Sequence, residues 1–146
     1  MEMPAFWRPG RLKYLTSMND EALPESTSHT RLLNYVDISN VETDAGISGS
    51  TEYFFEDAPS RARRLVRSGD TILSTVRTYL RAIAFIENPP DDLVVSTGFA
   101  VLRPKNEMAP KFLWRMMQSE LFVNLVMAHS RRSEERRVGK ECRSRW

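Results

Sequence analysis

The hydrophobic period changes once along this chain, and that change limits the folds open to it. From residue 71 to 102 the apolar residues come in short runs: Thr71 to Val76, Leu80 to Ile86, Leu93-Val94-Val95 and Phe99-Ala100-Val101-Leu102. Turn-forming clusters separate or precede them: Ser68-Gly69-Asp70, Asn88-Pro89-Pro90-Asp91-Asp92 and Ser96-Thr97-Gly98. Runs of that length between such clusters predict strands. After Pro104 the spacing becomes helical, through Phe112, Leu113, Met116 and Met117, then Leu121, Phe122, Leu125, Val126 and Met127. Pro110 can open the first helical segment and Ser119 can cap the second. Strands followed by helices predict an α+β fold: a mixed, twisted sheet with a central hairpin, flanked by helices, and a C-terminal helical segment.

Upstream, Leu12-Lys13-Tyr14-Leu15 reads as a short strand, residues 19–30 as a polar loop, 32–38 as a strand and 39–52 as a loop. Pro59 followed by Ser60 to Val66 predicts a short helix. Arg77-Thr78-Tyr79 is a short hairpin connection, and the run Ala82-Ile83-Ala84-Phe85-Ile86 is apolar on both faces, as a central strand covered on both sides requires. The methionine and aromatic stripe after residue 110 reads as core packing.

Composition narrows the chemistry. The 146 residues are 41% hydrophobic and 27% charged, which are globular proportions. One Cys and two His cannot build a Cys-rich zinc site or a disulfide framework. No apolar run approaches the roughly 18 residues of a membrane helix, and Met1-Glu2-Met3-Pro4 does not begin a signal peptide, so a cytoplasmic location is expected. His29 and His129 lack a motif, and no glycine loop has phosphate-binding spacing. Asn88-Pro89-Pro90-Asp91 approaches the Asn-Pro-Pro-aromatic motif of amino-methyltransferases, but Asp91 cannot stack on a base, so it reads as a tight loop. Glu56-Asp57 lacks the Glu-x-Lys that follows in a common metal nuclease. Catalysis by this chain is not expected.

Charge is distributed unevenly. Residues 37–57 hold six acids and no Lys or Arg, whereas residues 61–81 hold six arginines and the single acid Asp70. That block predicts a local positive patch suited to an anionic partner. Ser74-Thr75-Val76-Arg77-Thr78-Tyr79-Leu80-Arg81 places two arginines, hydroxyls and a tyrosine about a hairpin turn, where arginine forks can bind phosphates or a guanine edge. The same residues can form a solvated turn whose arginines pair with the acids of 37–57. On the residues alone that reading comes first, since surface charge runs usually have no partner.

The stretch 61–104 resembles the target-recognition domain of type I restriction–modification specificity subunits. The pieces that carry the resemblance are SRARRLVRSGDTILSTVRTYLRAIAFI (60–86) and LVVSTGFAVLRP (93–104), with YVDISNVETDAGI (35–47) and PKFLWRMMQSELFVNLV (110–126) in order around them. The resemblance implies a subunit with two such domains joined by long helices, each domain reading half of a split double-stranded DNA target. It implies methyltransferase (modification) subunits that bind S-adenosylmethionine, a restriction subunit that hydrolyses ATP, and a specificity subunit with no cofactor and no chemistry of its own. Carried over by position, Ser74, Arg77, Tyr79 and Arg81 are the leading candidates for DNA contact, followed by Ser96, Thr97 and Asn40. Gly69 and Asp70 are expected to shape a turn, and Phe85, Phe99, Val101 and Leu102 to lie in the core. The alternative is a protein-interaction fragment of such a complex without DNA affinity.

The pattern departs from the family after about residue 131. A glycine-containing loop, a short strand and a Pro-rich stretch leading to the spacer helix would follow there. Residues 132–146 instead read RSEERRVGKECRSRW, with six basic and three acidic residues and no apolar period. Without them the chain carries 15 basic and 16 acidic residues. This stretch resembles the in-frame translation of a sequencing-adapter oligonucleotide; a basic nucleic-acid-binding arm is the other reading. The expectation is therefore one incomplete recognition domain over 1–131, with some apolar surface uncovered, and a disordered, artefactual tail over 132–146.

Overall fold

The computed structural model describes residues 2–43, 45–76 and 81–129. Two four-stranded sheets form the body. The first has the order β1 (Thr16–Met18), β10 (Phe99–Pro104), β7 (Thr71–Ser74), β8 (Ile83–Phe85), antiparallel throughout. The second has the order β5 (Thr51–Phe54), β2 (Leu32–Val36), β9 (Leu93–Ser96), β6 (Ala62–Leu65), in which the β2–β9 pair is parallel and the other two antiparallel. A small hairpin, β3 (Val41–Glu42) with β4 (Gly46–Ile47), sits beside them. One helical turn, α1 (Leu12–Leu15), precedes β1, and α2 (Pro110–Gln118) and α3 (residues 120–129) follow β10.

The two-residue period of the strands decides which core each side chain joins. Ile72, Ala84, Phe99 and Val101 of the first sheet meet Val36, Leu93 and Val95 of the second. Their neighbours Leu73, Ile83, Ala100 and Leu102 point the other way, onto Leu113 and Met117 of α2 and Val123 of α3. On the outer face of the second sheet, Leu33, Tyr35, Ala62 and Val94 are covered by Leu23 and Phe55 from flanking loops. The layers therefore run loop, sheet, sheet, helix. The α+β class follows the sequence, with α2 opened by Pro110 at its first turn. The Ser119 hydroxyl accepts from the Phe122 amide at 3.3 Å, as an N-cap of α3 does.

Several expectations are corrected. Residues 60–66 are not a helix: Ala62–Leu65 is a strand. All four residues of β9 are buried, so unpaired backbone groups along either edge would be costly; β2 satisfies one edge and β6 the other. That need overrides the local helix signal of Pro59. Leu12–Leu15 is a helical turn closed by the Thr16 hydroxyl donating to the Leu12 carbonyl at 2.9 Å, and β1 begins only where β10 offers a partner. The expected loop 39–52 contains the β3–β4 hairpin. The β7–β8 hairpin exists, but β8 lies at an edge of its sheet; it is apolar on both faces because the second sheet and α2 cover it. Phe85 is half-buried and stacks on Trp114, with ring centroids 5.5 Å apart, rather than entering the core.

At the end where β7 begins, Gly69 takes a φ of +94°, which a side chain would strain. Asp70, 1% exposed, follows it. Its carboxylate accepts from Arg103 Nε at 3.0 Å, Arg103 Nη2 at 2.9 Å and the Arg67 amide at 2.8 Å. Glu21 joins both Arg103 and Arg67. Asp70 thus shapes the turn, as expected, and also pins β10 to it. Elsewhere Leu121 and Leu125 of α3, four residues apart, present an exposed apolar stripe.

Candidate nucleic-acid interface

Strand direction gathers the candidate residues. β2, β7 and β9 end, and β6, β8 and β10 begin, at one end of the two sheets. Residues 37–43, Arg61, 75–76, 81–82 and Thr97-Gly98 therefore form one tip. Backbone bonds lock its parts together. The Thr75 amide and hydroxyl both donate to the Gly98 carbonyl at 2.9 Å, and the Thr97 amide donates to the Arg61 carbonyl at 2.8 Å. A Cβ on Gly98 would lie 2.5 Å from Ile38 Cδ1, so a larger residue there would have to push aside the end of the Ile38 side chain in the 3-10 turn over Ile38–Asn40.

The candidates divide by exposure. Thr97 is exposed. Asn40 is half-buried; its side-chain oxygen accepts from the Asp37 amide at 3.0 Å and its carbonyl accepts from Ser48. Arg81 has a φ of +51° and its guanidinium lies 4.0 Å from the Glu120 carboxylate. Ser74 is buried, with its hydroxyl donating to the Val76 carbonyl at 2.6 Å. Ser96 is buried as well, and its hydroxyl accepts from the Gly98 amide at 3.1 Å. These two serines brace the turns beneath the tip and present no free hydroxyl above it. Arg77 and Tyr79 lie outside the described residues, as do residues 130–146.

The described arginines of the 61–81 block do not form one patch. As a strand rather than a helix, β6 disperses them. Arg63 lies over the Phe55 ring at 4.7 Å, Arg64 is half-buried, and Arg67 pairs with Glu21 at the opposite end. Arg61 and Arg81 remain at the tip, and the Arg64 guanidinium reaches its base, donating to the Thr97 carbonyl at 3.4 Å. Among the described residues no ion pair joins an arginine of 61–81 to a carboxylate of 37–57. Arg61 was not among the expected contact residues; it lies at the tip because residues after Pro59-Ser60 continue as a strand rather than a helix.

A cleft of about 560 Å³ opens at this tip, lined by Ser39, Glu42, Arg61, Ser74, Val76 and Ala82 among others. A larger groove, about 760 Å³, runs along the free edge of β8 between residues 45–50 and α2, past Ile47, Ile83 and Trp114. Beneath the tip, burial pushes the Tyr35 phenol above its ordinary pKa; its hydroxyl donates to Asp37 at 3.1 Å. No cluster of three His, Cys, Asp or Glu able to hold a metal occurs among the described residues. No helix among them is long and apolar enough to cross a membrane.

No family model matches the chain. The HsdS subunit from Thermoanaerobacter tengcongensis superposes with a TM-score of 0.76 and 35% identity over 85% of this chain. The chain is homologous to type I restriction-enzyme specificity subunits. A second structure, described as showing complex assembly and conformational transition of the type I R-M system, matches over 82% of the chain with 33% identity and a TM-score of 0.66. The type I restriction enzyme HindI specificity subunit of Haemophilus influenzae is 34% identical over 65 residues, 44% of this chain. The chain spans 32% and 33% of the two structures' chains and 14% of the Haemophilus subunit. The homology to these specificity subunits agrees with the resemblance carried by residues 35–126, and their shared fold is the α+β arrangement described above.

Proposed function

We propose that this chain recognises double-stranded DNA sequence-specifically, as part of a type I restriction–modification specificity subunit. Residues 1–131 form one recognition unit, and the tip formed by residues 37–43, 61, 75–76, 81–82 and 97–98 meets the duplex. Methyltransferase and restriction subunits perform the chemistry; this chain is non-catalytic, needs no cofactor and works in the cytoplasm. The observation that carries the reading is the likeness to a specificity subunit over 85% of the chain at 35% identity. The locked backbone of the tip supports it, because base reading needs donors held at fixed positions.

The test is selection from a randomised duplex library, with the purified chain alone and with methyltransferase subunits of the corresponding system. The expected result is enrichment of one short motif. Enrichment of none under either condition overturns the reading. Stable association with those subunits but no sequence preference would favour the second reading, a protein-interaction fragment without DNA affinity.

A further inference from the structure

We infer that Arg61 is a specificity-determining residue that reads a base edge from the tip cleft, a role beyond the hairpin residues that first suggested DNA contact. The inference rests on the DNA-recognition reading and deepens it. Arg61 precedes β6, is exposed, and lines the cleft with Ser39, Glu42 and Val76. It makes no ion pair among the described residues, whereas Arg67, Arg81 and Arg103 each have a carboxylate partner. Its carbonyl accepts from the Thr97 amide at 2.8 Å and from the Arg63 amide at 3.0 Å, so its main chain is fixed to the β9–β10 turn, while its guanidinium has no carboxylate partner among the described residues.

The surroundings select the kind of contact. Asp37 and Glu42 also line the cleft. A phosphate entering it would meet two carboxylates, and like charges repel. A base edge is neutral, and its donors and acceptors suit both charges. An arginine fork binds guanine O6 and N7 together, and a carboxylate accepts from a cytosine amino group. Val76, exposed at the rim, adds an apolar surface of the kind that meets a thymine methyl. Arg61 thus discriminates a G·C pair in the major groove, and the cleft's acids keep the phosphate backbone out.

The test compares the parent chain with Arg61→Ala and Arg61→Lys, using the duplex that the parent selects and its single-position variants. Circular dichroism and thermal melting check folding; the tie to Thr97 uses the Arg61 carbonyl, which both substitutions retain. Arg61→Ala is expected to lose about ten- to hundred-fold discrimination at one G·C position and to leave the others intact. Arg61→Lys keeps the charge but not the planar fork, so it is expected to lose the same discrimination. Arg67→Ala, at the opposite end, serves as the control that preserves it. An even loss of affinity across all sequences, with a salt slope shallower by about one, marks a phosphate contact and overturns the inference. Unchanged discrimination in both Arg61 variants overturns it too. A parent chain that selects no sequence overturns the DNA-recognition reading itself, and this inference with it.

Discussion

Asp70 shows what a single buried charge does here. It is nearly inaccessible, and Arg103 supplies two charge-assisted bonds to it while the Arg67 amide supplies a third. These bonds to Asp70 raise the Arg103 pKa above its ordinary value, so the guanidinium stays charged wherever the protein is folded. Arg103→Ala strands the carboxylate, and a stranded buried charge costs about 3–5 kcal/mol. Urea unfolding is expected to show a midpoint lowered accordingly; an unchanged midpoint would place the pair outside the stability of the fold. Tyr35 gives the pH dependence. An unfolded phenol titrates near pH 10, and burial raises the folded one above that. The stability tied to the neutral phenol is therefore intact below about pH 10 and is lost as pH rises through the folded value. Denaturation midpoints measured from neutral pH upwards should fall for the parent chain and fall less for Tyr35→Phe. Gly69-Asp70 was legible as a turn from its residue types. The partnership with Arg103 was not, because 33 residues separate the two and pairing at that distance has no local signature.

At the scale of elements, α2 is the piece whose placement the sequence predicts best. Pro110 starts it, and Leu113 and Met117, one turn apart, are both fully buried against the first sheet. Leu113→Ala is expected to destabilise the protein by about 2–5 kcal/mol, the range for removing a fully buried leucine side chain. Chemical denaturation measures this; a loss under 1 kcal/mol would mean that α2 does not close the core. β6 is the opposite case. Its alternation is hidden by three arginines within Arg61 to Arg64, and its strand identity comes from the buried edge of β9, which begins 31 residues further along. β9 and β10 illustrate the same limit. Their apolar runs were evident, yet a turn as short as Thr97-Gly98 normally signals pairing between its flanking strands. Here those strands diverge into different sheets, β9 to β2 and β6, and β10 to β7 and β1.

For the whole molecule, function depends on where the loops come together rather than on net charge. Formal charge is only +2, and the described arginines of 61–81 point to several faces. Binding is therefore expected to depend modestly on salt. Log affinity should fall with log salt at a slope of about −2 to −3, as for two or three neutralised phosphates. Anisotropy titrations at several salt concentrations measure the slope, and one much steeper would point to a broad basic face that the described residues lack. The sequence by itself determined the α+β class, the helical C-terminal region, the strand-forming runs and the turn at Gly69-Asp70. Each rests on a local period or on one residue's backbone preference, and such signals are written within a few positions. The tertiary structure alone decided the division into two packed sheets, the strand over Ala62–Leu65 and the scattering of the arginines. It also brought Asn40, Arg61, Arg81 and Thr97 to one end. Those outcomes arise from backbone groups and apolar faces distant in sequence that must satisfy one another once water is excluded.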